Sequence, residues 1–327
     1  MIVRNLVCCL GAMALAGAAM AQDTFSVKGG DGPGKGKKVV LLAGDEEYRS
    51  EEAMPQLAKI LAKHGFDCTV CFSVGADGVI NPGQGDSLTG PEALDSADAI
   101  VMLLRFRHWP DTTMKKFDDA MKRGVPVIGL RTSTHAFSGL KGDFAAYNSF
   151  GKKVLGEQWV NHWGSHKHEA TRGIIEKGAD ALPIMRGVTD VFGSTDVYEA
   201  YPPADATILL RGQVLKSMEP TAEPADYKKK RSTDKVEQGV NDPMMPVAWT
   251  RVNKNENGKE NKILCTTMAA ASDLPNEGLR RLVVNGVYWG LGLDVPAKAD
   301  VSIVGEFNPS FYGFGGFIKG VKPSDVK

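Results

Sequence analysis

The chain has 327 residues, 43% of them hydrophobic and 24% charged, with 39 basic and 39 acidic side chains. That length suits one large or two modest domains of ordinary globular composition. A net charge of zero gives no electrostatic ground for nucleic acid or an anionic membrane surface as a partner. In chain order, residues 1–21 come first: Arg4, an apolar run over 6–19, then Ala19-Met20-Ala21. This reads as a secretory signal peptide cut near Ala21–Gln22, and predicts an exported protein, periplasmic or secreted. The apolar run is short for a membrane span, so no span is expected in the mature form. Residues 22–36 are rich in Gly and Lys and read as a linker. Residues 37–294 carry the periodic segments of one α/β domain, and 295–327 form a Gly- and aromatic-rich tail.

Within the domain, residues 38–43 (KVVLLA) are a continuous apolar run, expected as a strand buried on both faces. Asp45, Glu46, Glu47, Tyr48 and Arg49 follow it. A helix is then expected from Ser50, with Met54, Leu57, Ile60 and Leu61 inward and Gly65 at its end. Residues 66–73 read as a second strand. The Cys68 and Cys71 it holds point to opposite faces of a strand, so buried apolar thiols are expected rather than a redox pair. Residues 97–104 (ADAIVMLL) are a third strand, ending in Arg105-Phe106-Arg107-His108. A helix follows from Asp111, with Met114, Phe117 and Met121 inward. The fourth strand, in 125–130, stops at Arg131-Thr132-Ser133-Thr134-His135.

Three strand ends therefore carry polar clusters. Strand–helix–strand repetition with right-handed crossovers puts all three on one edge of a parallel sheet, where open α/β sheets bind ligands. The expected fold is α/β, a flavodoxin-like three-layer sandwich with a mostly parallel central sheet. The second half is less regular. It holds strands in 170–176, 196–200 and 206–214, a hairpin of 246–252 with 262–267, and a helix over 276–291. Lys228-Lys229-Lys230-Arg231 reads as a solvated basic run.

The sharpest chemical segment is 159–168, with Trp159, His162, Trp163, His166 and His168. Neutral imidazoles ligate zinc, copper or iron. No simple helix or strand brings all three histidines together, so a divalent metal such as zinc on His162, His166 and His168 stays open beside acid–base use of one or two of them. Trp163 beside polar groups would suit stacking on a sugar face. No G-x-S-x-G elbow, G-x-G-x-x-G fingerprint or P-loop occurs, which weighs against a serine nucleophile of that kind and against nucleotides.

Several stretches resemble the ThuA-like (trehalose-utilisation-like) family, whose fold is similar to class I glutamine amidotransferases. They are KVVLLAGDEEYRSEEAMPQLAKIL, VPVIGLRTSTHAF, LGEQWVNHW with ATRGIIE, LPIMRGVTDVFGSTDVYEAY, and the span from PVAWTRVN to NGVYWGLG. The resemblance implies the flavodoxin-like sandwich and a role in sugar metabolism. It places the amidotransferase cysteine position at Arg131, so glutamine hydrolysis by that route is not expected. It matches His162 to a family histidine. The chain departs from the family pattern at Arg131, where a histidine is usual, and at Met268-Ala269-Ala270-Ala271, where a T-L-G-H-type ending is frequent.

The combined expectation is a protein that acts on or binds a carbohydrate or oxidised (keto) sugar at the carboxyl edge of the sheet. His162 and His135 are the candidate acid–base residues. Asp45, Glu46, Arg105, His108, Arg131, Thr132 and Trp163 are the candidate substrate contacts. Two other readings stand beside it: a non-catalytic sugar-binding or scaffolding domain, and a metal-dependent hydrolase. Self-association is left open.

Overall fold

The computed structural model describes residues 24–327; the expected signal peptide and its cleavage point lie outside them. The strands of the main sheet are β1 (Phe25–Val27), β2 (Lys38–Gly44), β3 (Asp67–Phe72), β4 (Ala99–Leu104), β5 (Val127–Leu130), β6 (Thr171–Ile175), β7 (Val191–Gly193), β8 (Thr207–Val214), β9 (Met245–Lys254) and β10 (Glu260–Thr266). They form one ten-stranded sheet in the order β1-β3-β2-β4-β5-β10-β9-β8-β6-β7.

The five strands from β3 to β10 run parallel. Beyond β10 every pairing is antiparallel. The sheet is thus mixed, with the expected parallel flavodoxin-like half extended by an antiparallel half. The expected linker also contributes structure. Its Phe25–Val27 pairs antiparallel with Val70–Cys68 as an edge strand.

Three α-helices cover the parallel half: α1 (Ser50–Lys63), α2 (Asp111–Lys122) and α3 (Glu277–Gly290). Side chains alternate across a strand, and the core divides accordingly. Val39 and Leu41 pack with Met54, Leu57 and Leu61 of α1 and with Leu279, Leu282 and Val283 of α3. Val40 and Leu42 pack with Met114, Phe117 and Met121 of α2. These two apolar faces make the α/β sandwich. Helix α3 starts where Asn276 Oδ1 accepts the Leu279 amide at 2.8 Å, a side-chain cap. It can lie close on the sheet because any Cβ at Gly286 would collide with Leu264. Ser50 and Asp111 are the first residues of their helices, as expected. Cys68, Cys71 and Cys265 are free and buried, and burial pushes the Cys71 thiol up to about 12.

The tail after α3 packs back on the domain. Arg280 Nε donates to Val301 O at 2.8 Å, and the Ile80 amide donates to Val321 O at 2.8 Å. Val301 and Tyr312 are buried. Among the described residues, no helix is long and apolar enough to cross a membrane.

Candidate functional site

The carboxyl ends of β2, β4, β5 and β10 open onto one edge, and the polar turns that follow them meet there. After β2, the Asp45 carboxylate accepts the Glu47 amide at 2.7 Å and the Tyr48 amide, and Thr132 Oγ1 donates to its other oxygen. Burial raises the Asp45 pKa, against those hydrogen bonds. Asp45 and Thr132 therefore bind the first and third turns to each other, rather than facing outward. Glu46 projects further and pairs with Arg105 and, at 3.1 Å, with Arg107.

After β5 the chain turns sharply at Arg131, whose φ of 38° lies in the left-handed region. A non-glycine residue there costs about 1–3 kcal/mol. Offsetting contacts surround it. The Arg131 amide donates to Met268 O at 2.9 Å. Its guanidinium donates to the Asp196 and Thr267 carbonyls, both at 2.7 Å, and to Asp196 Oδ1 at 2.8 Å. The same guanidinium lies 3.8 Å from the Tyr198 ring centre and 4.7 Å from that of Tyr48. Arg131 does not reach out to a ligand: it is fully buried and its charge is spent on Asp196.

Asp196 collects three partners. Besides Arg131, His162 Nδ1 sits 2.7 Å from Oδ2 and His166 Nδ1 sits 3.2 Å from Oδ1. Burial alone would raise its pKa, but Arg131 and the two imidazoles outweigh burial and hold the carboxyl well below the usual range. His166 Nε2 meets Glu47 Oε1 at 3.0 Å. Gripped by Asp196 and Glu47, His166 is raised to about 9 and is a cation at neutral pH. Burial opposes the ionisation of Glu47, but its contact with His166 prevails and the pKa falls.

His162 differs from His166. Its ring lies 4.4 Å, centre to centre, from that of His166, and its side chain is 31% exposed. With Nδ1 committed to Asp196, Nε2 has no hydrogen-bond partner among the described residues. A carboxylate on one ring nitrogen fixes the orientation and tautomer that expose the other. Lys229 holds the backbone beneath, donating to His162 O and Trp163 O at 2.9 Å each. One lysine of the basic run is therefore a strut for this segment.

The remaining expected residues divide. His135 is near the cluster, with its ring 5.4 Å from Trp159. It is buried, and desolvation with the nearby cations Arg105 and Arg131 keeps it neutral. His108 is exposed; its Nδ1 lies 3.4 Å from Phe106 O and its amide donates to Gly85 O at 2.9 Å. Trp163 is not a stacking platform, because it is wholly buried and its Nε1 donates to Val240 O at 2.7 Å. His168 lies outside the cluster. The turn at Ser165–His168, with Lys167 at φ 65°, carries it to the surface. The donor set that converges is His162, His166 and Asp196, with candidate ligand atoms within 4.8 Å of one another.

Sequence reasoning missed Asp196, Tyr198 and Tyr312. Tyr312, from the tail, stacks on Tyr48 at 5.1 Å and lies 5.5 Å from the His166 ring. Gly313, next to it, is pinned by both backbone groups: its amide donates to Glu47 O at 2.8 Å, and its carbonyl accepts from Arg49 Nη2 at 2.5 Å. Asp196 sits in a short loop after β7, with no motif around it. A histidine-rich segment in need of a carboxylate partner was the one available signal.

Residues 38–290 match the family model described as ThuA, trehalose utilisation. The chain belongs to the ThuA family. Two solved structures are similar. A ThuA-like protein from Bacteroides uniformis is 16% identical, with 80% of this chain and 94% of that one covered and a TM-score of 0.46. A ThuA-like protein from Parabacteroides merdae is 12% identical, with 86% and 98% covered and a TM-score of 0.49. No curated protein sequence matches. The aromatic tail residues Phe311–Phe317 of this ThuA protein lie beyond the matched stretch.

Proposed function

We propose that this ThuA protein is an exported enzyme acting on an oxidised (keto) sugar, with His162 Nε2 as the base. The observation that carries the reading is the Asp196 carboxylate, which orients His162 with one oxygen while its other faces Arg131 and His166. His162 would remove the proton from the carbon next to the sugar carbonyl. Its electron pair moves into a C=C bond and the carbonyl π pair onto oxygen, giving an enolate. The fixed His166 cation stands beside that developing charge, an electrostatic role that needs no proton transfer from it. Transfer of the vicinal hydroxyl proton to the enolate oxygen, followed by return of the abstracted proton to the former carbonyl carbon, gives isomerisation; re-formation of the carbonyl as a β-substituent leaves with its bonding pair gives elimination. Arg105 and Glu46, each about one-fifth exposed at the same edge, supply donors and an acceptor for hydroxyl groups. Export rests on the signal-peptide pattern at residues 1–21.

The test is deuterium wash-in next to the carbonyl of keto-glucose and keto-trehalose, followed by NMR in D2O. Exchange that disappears in His162→Ala and falls at least about 100-fold in Asp196→Asn supports the base. Absence of exchange with every keto sugar, while binding persists, supports the sugar-binding alternative instead.

A second reading has one observation behind it, the convergence of His162, His166 and Asp196. A zinc ion held there would supply Lewis-acid chemistry. The donor set fits poorly. Arg131 already occupies Asp196 Oδ1 and adds a fixed positive charge, and both His166 nitrogens face carboxylates.

A further inference from the structure

A second buried carboxylate stands behind the Arg131–Asp196 pair. Asp273 lies in the turn Ala271–Asp273, just before α3, and is 1% exposed. Five groups donate to it. Oδ2 accepts the Thr195 hydroxyl at 2.7 Å and the Ala269 and Ala270 amides at 3.1 and 3.2 Å. Oδ1 accepts the Thr195 amide at 3.0 Å and the Ser194 hydroxyl at 3.3 Å. An acceptor-only setting suits an ionised carboxylate. Burial raises the Asp273 pKa, and Arg131 and these hydrogen bonds oppose the rise. Two features show that the chain is shaped around this side chain. Ala269 is held at φ 75°, a strained backbone for a residue with a Cβ. A Cβ on Gly193 would come within 2.9 Å of the Asp273 carboxyl carbon.

Two backbone segments, 194–196 and 267–270, run between Asp273 and Arg131 with their peptide groups turned in opposite senses. The Thr195, Ala269 and Ala270 amides face the carboxylate. The Asp196 and Thr267 carbonyls accept from the Arg131 guanidinium, and Met268 O accepts the Arg131 amide. Peptide dipoles set between an anion and a cation in this sense are favoured at both ends. We infer that Asp273 is a positioning residue of the site: it sets the two segments that cradle Arg131, and through Thr195 it fixes the adjoining Asp196, whose carboxylate orients His162. This role deepens the proposed acid–base chemistry and rests on it only for its kinetic effect. If Asp273 were merely a clamp on the fold, its loss would lower stability and leave the His162–Asp196 contact as it was.

Proton NMR of the protein labelled with 15N-histidine reads the His162 Nδ1 proton, which a carboxylate partner moves downfield and protects from exchange; His162→Gln assigns the signal. Asp273→Asn places a donor amid donors and is expected to abolish the signal. Thr195→Val removes one donor and leaves the carboxylate in place. It is expected to speed exchange of that proton at least about fivefold, and Thr195→Ser to keep the native rate. No such signal in the native protein, or a folded Asp273→Asn with the native signal, overturns the role whatever the melting temperature. Where Asp273→Asn does not fold, Thr195→Val decides: an unchanged rate, or a rise that Thr195→Ser shares, overturns the role, and a rise that Thr195→Ser avoids sustains it. With keto-glucose, Thr195→Val is expected to slow deuterium wash-in about tenfold with KM unchanged; a change in KM alone overturns the role. Absence of wash-in in the native protein removes the acid–base reading and leaves the Nδ1 signal to decide Asp273.

Discussion

Arg131 and Asp196 meet at 2.8 Å with neither side chain exposed. Around that pair the polar edge of the sheet is assembled: Tyr48 and Tyr198 on the cation, His162 and His166 on the anion. A buried pair of this kind is costly to break by halves, since the survivor stays charged in a dry site. Asp196→Ala should therefore destabilise the protein by about 3–5 kcal/mol in urea unfolding. Arg131→Met should cost less, because two imidazoles still face the carboxylate. An equal or larger loss for Arg131→Met would mean that the histidines contribute nothing to holding Asp196.

The His166 cation ties stability to pH. Its folded pKa lies near 9, above the ordinary 6.5. A raised folded pKa means the stabilisation is complete below about 6.5 and disappears as pH climbs through about 9. The melting-temperature gap between the native protein and His166→Gln should be widest near pH 6 and closed near pH 9.5. A gap that widens with pH would show that His166 is not a cation in the fold.

Metal content decides the zinc reading. Untagged protein, prepared without chelator, should carry well under one transition metal per chain, and zinc should not raise its melting temperature. A stoichiometric metal lost in His162→Ala and kept in His168→Ala would establish the metal centre and displace the proton-transfer reading.

Tyr312 is joined to the site by its ring alone. Its hydroxyl is buried without a hydrogen-bond partner among the described residues, so Tyr312→Phe should be neutral or slightly stabilising. Tyr312→Ala removes the stack on Tyr48 and should cost about 2–4 kcal/mol. Thermal unfolding of both variants checks this. Similar losses in the two would point to an unseen partner for the hydroxyl.

What the sequence disclosed follows from the range of the interactions. The apolar runs of β2, β4 and β5 are local signals, and so are the polar turns after them. Their convergence came from the handedness of crossovers, a rule of topology. His162 and His166 stood out as types, but their shared carboxylate, Asp196, is 30 or more positions away and looks like any loop aspartate. Arg131 was misjudged for a related reason. Emerging from a buried strand suggests outward reach, whereas the left-handed turn folds its side chain back under Tyr198. The antiparallel half of the sheet was visible only in part: the hairpin of β9 and β10 was expected, whereas β8 joins β9 and β6 through registers that no single segment encodes.

The clasp at Gly313 has a consequence for how the molecule comes into being. Its partners Glu47 and Arg49 belong to the first turn of the domain, 264 positions from Gly313 in the case of Arg49. A chain growing from its amino end completes the whole parallel sheet before that clasp can close. The rim of the site is therefore finished late, and a nascent chain that stops short of Tyr312 carries His166 with one wall missing.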